Sequence, residues 1–274
     1  MDHNLERFAQ IVRQGEAMEL AEAALLIAKG EYPDLDVPNY LDRLDRLAAR
    51  ADGGARVKEP RWKFHYLRWY LFNKEWFQGN TKDYFDPRNS FLNDVLDRKL
   101  GIPVTLSVVF IEVGRRLGLE LQGIGLPGHF VVQYQDGDES LFIDTFNHGA
   151  IRSVEECEQM ASLAMRHDVR LEPIHFRPLT KQQILIRILG NLREIYFNRE
   201  EWENALAVVE RLQVLAPDDP LNFRHRGVVF GNLSKYHRAI AEFEEYLNRN
   251  PKVPDAATIQ HMIGMLRRNA AALN

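Results

Sequence analysis

Apolar residues recur at helical spacing through the first part of the chain. Leu5, Phe8, Ile11, Val12, Met18, Leu20, Ala24, Leu25 and Ile27 predict a helix within 5–29, which Gly30 and Pro33 stop. Leucines at every third position from Tyr40 to Arg50 predict a second amphipathic helix, followed by a Gly-Gly turn at 53–54. Residues 61–77 are dense in aromatics, and Trp62, Trp69 and Trp76 fall seven apart. Such a stripe is read as core packing against neighbouring helices, with a ligand platform as the alternative.

The pattern then tightens. Residues 86–100 open on a turn signal and continue as a helix with Leu92, Val95 and Leu96 inward. Pro103 to Leu117 is apolar on nearly every side from Val104 to Val113, the mark of a helix with other elements wrapped around it. Proline suits its first position, where an N–H would lack a helical partner anyway. After Gly118 the period drops to two, and 121–126, 129–134 and 141–146 read as strands. Asp136-Gly137 is a favoured pair for a two-residue hairpin loop. With those two as the loop, 135 pairs with 138 and His129 faces Asp144 across the ladder.

From Leu179 onward the chain is helical and repeats itself. Ala205 and Ala239, Trp202 and Tyr236, and Pro217 and Pro251 are each separated by 34 residues. Small residues let paired helices approach, and proline ends the second helix of each pair. Two units are expected over 186–219 and 220–253, with 255–272 as a capping helix.

Bulk properties add mainly exclusions. Hydrophobic residues at 45%, charged residues at 27% and a net charge of −4 describe an ordinary globular chain. There is no basic excess of the kind that marks nucleic-acid partners. The N-terminal stretch mixes charge into an amphipathic pattern unlike a signal peptide, and no apolar run reaches the roughly 18 residues of a membrane span. A cytoplasmic protein with neither a membrane nor a nucleic-acid partner is expected. The single cysteine, Cys157, rules out an intramolecular disulfide and is read as a thiol without functional weight.

The stretch from Asp86 to Tyr134 (DPRNSFLNDVLDRKLGIPVTLSVVFIEVGRRLGLELQGIGLPGHFVVQY), with LFIDTFNHG at 141–149, resembles the bacterial transglutaminase-like/tetratricopeptide family of the SirB type. The resemblance covers nearly the whole chain. It implies an α+β fold: a papain/transglutaminase-like core, with a central helix on a small antiparallel sheet, flanked by N-terminal helices and a helical tetratricopeptide tail. The expected division is 1–80, 81–178 and 179–274.

The resemblance also implies a cysteine at the head of the central helix, a histidine on one strand and an aspartate on the next. A helix N-terminus and an imidazole lower a thiol's pKa, the imidazole carries the proton, and the carboxylate fixes the tautomer. His129 and Asp144 match the second and third positions. The first falls on Pro103, which has no nucleophile. Thr105 and, one turn in, Ser107 are the nearest hydroxyls and the candidates to replace the cysteine. Either would need a base and an oxyanion hole, and Ser107 has no nucleophile elbow around it.

Two functions follow. In the first, the domain is a pseudoenzyme that binds a protein or peptide through its cleft, with Asn89, Asn93 and Asn147 as cleft candidates, and through the tail, with Asn191, Tyr196, Asn222 and Arg226 on its first helices. In the second, an amide hydrolase or acyl transferase uses Thr105 or Ser107 with His129 and Asp144. Convergence of His129, Asp144 and His148 on a metal has little support, because no metal-binding spacing is present. No cofactor or metal is expected.

Overall fold

The computed structural model describes residues 3–54 and 59–272. Packing groups them into two compact units, Arg13–Ile188 and the described parts of Met1–Val12 with Leu189–Asn274.

In the first unit, α2 (Leu20–Ala28), α3 (Val37–Gly54), α4 (Pro60–Trp69) and α5 (Leu92–Arg98) surround α6 (Pro103–Arg116). Every α6 residue from Pro103 to Phe110 is buried, so the all-round apolar run is explained by the elements around it. The one carboxylate buried on α6, Glu112, is answered by Arg115 and Arg116 at 3.1 and 2.8 Å. A short parallel pair, β1 (Gln78–Gly79) and β2 (Leu100–Gly101), precedes α6. The main sheet is antiparallel in the order β3 (Leu121–Ile124), β4 (Val131–Asp136), β5 (Glu139–Asp144), β6 (Ala150–Arg152), and α7 (Val154–Met165) follows it. The fold is α+β with a transglutaminase-like core and a helical repeat tail.

In the second unit α1 (His3–Val12) packs on α9 (Trp202–Leu215). The remaining helices are the end of α8 (Lys181–Asn198), α10 (Pro220–Asn232), α11 (Tyr236–Arg249) and α12 (Ala256–Ala272). The repeat spacing is realised as two helix pairs plus α12. At Gly227 an added Cβ would lie 2.6 Å from the Phe243 ring, which explains the small residue where α10 meets α11.

Three expectations need correction. The single helix predicted within 5–29 is two, α1 and α2, because Gly15 takes φ +59° between them. Trp62, Trp69 and Trp76 are not core: they are 59%, 46% and 63% exposed, while Phe64, Leu67, Tyr70, Leu71, Phe72 and Phe77 are buried. A π-helical turn at Tyr70–Lys74 follows α4, and Trp76 itself adopts φ +62°, so heptad spacing does not keep the third indole on the helix face of the first two. The hairpin loop is Gly137-Asp138, not Asp136-Gly137, since Asp136 pairs with Glu139 and Val132 with Ile143. Gly137 alone of the two takes a positive φ, +61°, as a loop with glycine at its first central position requires.

Candidate functional site

The head of α6 is built by the loop before it. Asn89 is fully buried. Its amide donates to the carbonyls of Asp83 (2.7 Å) and Tyr84 (3.1 Å) and accepts from Asn80 (3.0 Å). Its own carbonyl accepts from the Thr105 hydroxyl at 2.7 Å, and Thr105 Oγ1 in turn accepts the Ile102 N–H at 3.2 Å. Thr105 therefore caps the helix while tying it to the 80–90 loop. Asn93 is also buried, and its Oδ1 has no hydrogen-bond partner among the described residues.

One turn into α6, Ser107 Oγ lies 2.9 Å from Thr145 Oγ1, and Thr145 donates to the Pro103 carbonyl at 3.2 Å. Since the Thr145 proton goes to Pro103, Ser107 is the donor between the two hydroxyls. The link joins the end of β5 to the first turn of α6, with both hydroxyls buried.

His129 sits in the turn before β4. Continuing the ladder register would place Val131 opposite Asp144, so His129 lies two residues beyond and reaches the carboxylate diagonally. The contact is made all the same: Nε2 is 3.1 Å from Asp144 Oδ1. Asp144 is fully buried. It also accepts from the Asn147 side chain at 2.7 Å and the Asn147 N–H at 3.3 Å, and Arg152 Nε lies 3.7 Å from it. Burial opposes its charge, but the hydrogen bonds from His129 and Asn147 outweigh that and hold the carboxyl below the usual carboxylate range. Facing a carboxylate, Nε2 carries the ring proton, and Nδ1 makes no hydrogen bond among the described residues. Arg187 fixes the turn by donating to the carbonyls of Leu126 (3.1 Å) and His129 (2.8 Å). Phe146 stands edge-on to His129 at 6.5 Å and to Tyr84 at 5.9 Å. Gly79 is required beside it, because a Cβ there would lie 2.4 Å from the Phe146 ring.

The structure thus brings His129, Asp144 and Asn147 together, and links Asn89 to Thr105. Cys157 is buried among Ile124, Leu126, Val131 and Phe142, and its thiol is pushed up to about 12 by burial, with Asp144 adding to the effect. Such a thiol is inert as a nucleophile. No group of three potential metal ligands occurs among the described residues. Sequence reasoning missed Thr145 and Arg152, whose roles depend on partners distant in the chain and leave no local signal.

In the tail, two of the surface expectations are corrected. Tyr196 and Asn222 are buried, and Asn222 donates to the carbonyls of Leu212 (3.2 Å) and Ala216 (2.7 Å), closing the turn between α9 and α10. Both face inward because the repeat uses those positions to pack its helices. Arg226 pairs with Glu242 at 2.8 Å, and Asn191 is half-buried.

His129, Asp144 and Asn147 form one hydrogen-bonded group, and Thr145, next to Asp144 in the chain, ties it to the Pro103 carbonyl at the head of α6. A sequence profile described as the transglutaminase-like superfamily matches residues 38–190, more than half of the chain. The chain belongs to that superfamily. A tetratricopeptide-repeat profile matches residues 192–264. Among relatives, a UPF0162 protein of Xylella fastidiosa (strain Temecula1) is 35% identical over 256 residues, covering 91% of each chain. A UPF0162 protein of Vibrio cholerae is 29% identical, covering 93% of this chain and 95% of its own. Human F-box only protein 21 is 27% identical over 134 residues, which are 46% of this chain and 20% of that one. No solved structure matches. A transglutaminase-like domain joined to tetratricopeptide repeats makes a protein-interaction module, and no described helix is long and apolar enough to cross a membrane.

Proposed function

We propose that this superfamily member is a pseudoenzyme of the SirB type, working in the cytoplasm as a protein- or peptide-binding regulatory module through its cleft and repeat tail. The observation that carries the reading is the fate of the hydroxyl protons at the head of α6. Thr105 gives its proton to the Asn89 carbonyl, and Ser107 gives its proton to Thr145. A serine or threonine hydroxyl has one proton, and a nucleophile must present it to its base. With proline at the thiol position and both hydroxyls engaged elsewhere, His129 has no nucleophile to activate. The His129–Asp144 pair then serves to hold the turn and sheet and to offer one ring nitrogen to a bound ligand.

A fluorophosphonate or acyl-amide probe tests this directly. The intact protein is expected to remain unlabelled and to release no amine from amide substrates. Labelling that disappears in Thr105→Ala or Ser107→Ala would establish the hydrolase or acyl transferase instead. On the binding side, a partner recovered on the immobilised chain and then purified is expected to lose affinity for Asn191→Ala.

A further inference from the structure

The repeat unit segregates charge by helix. Its first helices, the end of α8 with α10 and α12, carry Arg193, Arg224, Arg226, Arg267 and Arg268 against the single acid Glu194. Its second helices, α9 and α11, carry five glutamates against three arginines. Several first-helix cations are neutralised inside the chain, as Arg224 is by Asp255 at 2.7 Å and Arg267 by Glu244 at 2.7 Å.

Arg193 differs. It is half-buried between α8 and α10, and its hydrogen bond, at 3.4 Å, is to His225 Nδ1. No carboxylate comes within ion-pair distance of it among the described residues. Burial draws down its pKa, with only the more distant Asp219 and Glu194 opposing. His225 is half-buried as well, its ring edge-on to Phe197 at 5.8 Å, and Phe197 meets Trp202 at 5.5 Å. A guanidinium and an imidazole thus share a seam walled by an aromatic ring, with no carboxylate within ion-pair distance among the described residues. A desolvated cation is costly unless paired, and an incoming carboxylate would meet an arginine whose geometry suits two parallel hydrogen bonds.

We propose that the seam between α8 and α10 binds an acidic segment of a partner protein, Arg193 and His225 receiving a carboxylate while Phe197 packs on an adjoining apolar side chain. The inference rests on the binding-module reading above and gives that module's partner a charge. The basic first helices favour an acidic occupant by complementarity and disfavour a basic one.

The test is fluorescence anisotropy of the full chain with a short labelled peptide of alternating glutamate and leucine, and with its lysine-leucine counterpart. The acidic peptide is expected to bind, the basic one not, and added salt to weaken binding. Arg193→Glu should lower affinity about tenfold or more, a change of about 1.4 kcal/mol per factor of ten. Lys252→Glu, an exposed charge reversal in the loop after α11, should leave affinity within a factor of about two, as expected for a charge outside the contact. Circular dichroism of each variant checks folding, and Arg193→Met provides a second variant that removes the charge without adding an acid. Equal binding of both peptides, binding of neither, or indifference to both Arg193 variants overturns the proposal. Those outcomes leave the pseudoenzyme reading standing, because that reading is judged by hydroxyl-dependent probe labelling and by the recovered partner's affinity for Asn191→Ala, neither of which uses these peptides.

Discussion

The head of α6 and the seam between α8 and α10 both take polar side chains out of water, and they satisfy them in different ways. Around α6, Asp144 accepts from His129 and Asn147, Ser107 donates to Thr145, Thr145 to Pro103, and Thr105 to Asn89. These side chains find their partners within the chain. In the seam, Arg193 has a neutral imidazole for company and no carboxylate within ion-pair distance among the described residues. A buried polar network that is satisfied from within can contribute to stability and specify one packing, whereas a buried charge left short of a partner costs stability. The polar side chains around α6 are held within the fold, and the repeats are where we propose that an outside partner binds.

The largest test of that contrast is removal of the carboxylate at the centre of the first network. Asp144→Ala strands His129 and Asn147 and leaves Arg152 with Glu156 alone, and should cost about 3–5 kcal/mol of unfolding free energy, the range for deleting one partner of a buried charged pair. Denaturant titration measures it. A loss under about 1 kcal/mol, the scale of an ordinary exposed pair, would show that the network is not framework. The carboxyl's depressed pKa sets the pH window. The stability it contributes is complete above its unfolded value of about 3.9 and declines as pH falls through the lower native value, a decline the alanine variant should lack.

Both regions were partly legible in the sequence, for different reasons. The apolar run of α6 and its leading proline announce a buried helix whatever surrounds it. The repeat spacing likewise fixes helix pairing, because each unit buries the same positions. Face assignment was not legible for the tryptophans: seven-residue spacing says that three side chains share a stripe, not which way the stripe looks, and the π-helical turn at Tyr70–Lys74 then breaks the phase. The sequence pattern puts the hairpin loop at Asp136-Gly137, and only the pairing of β4 with β5 moves it to Gly137-Asp138. The Ser107–Thr145 link joins positions 38 residues apart, so no local pattern encodes it. Arg193 and His225 went unread because arginine on a helix is ordinarily solvated, and its burial depends on how successive repeats stack.

A second test compares the regions through acid. His225 is held neutral, its pKa lowered from 6.5 to about 4 by burial first and by Arg193 and Arg224 after it. The unfolded chain binds that proton more readily than the native one. Stability is therefore complete above pH about 6.5 and is lost progressively as pH falls toward about 4. Unfolding measured at pH 7.5 and pH 5 should show this loss in the intact protein and a smaller one in His225→Gln, whereas the contribution of Asp144 stays complete across that window and falls only below it. An identical pH slope in the two proteins would mean that the seam is wetter than its geometry indicates.

The smallest expected effect is the sharpest. Arg193→Met keeps the length of the side chain and its packing beside His225 and Phe197, and removes the charge. Were Arg193 framework like Asp144, the change would cost several kcal/mol, since charged hydrogen bonds in a buried network are expensive to break. For a half-buried cation without a carboxylate, the lost hydrogen bond to His225 and the relieved desolvation oppose each other. The expected change in unfolding free energy is then within about 0.5 kcal/mol of zero, as at sites where an ion is replaced by an apolar group of similar shape. Paired with the loss of acidic-peptide binding in the same variant, that near-zero value separates a residue kept for a partner from one kept for the fold. A destabilisation above about 2 kcal/mol, the size of a lost core contact, would place Arg193 with the framework and erase the difference between the two regions.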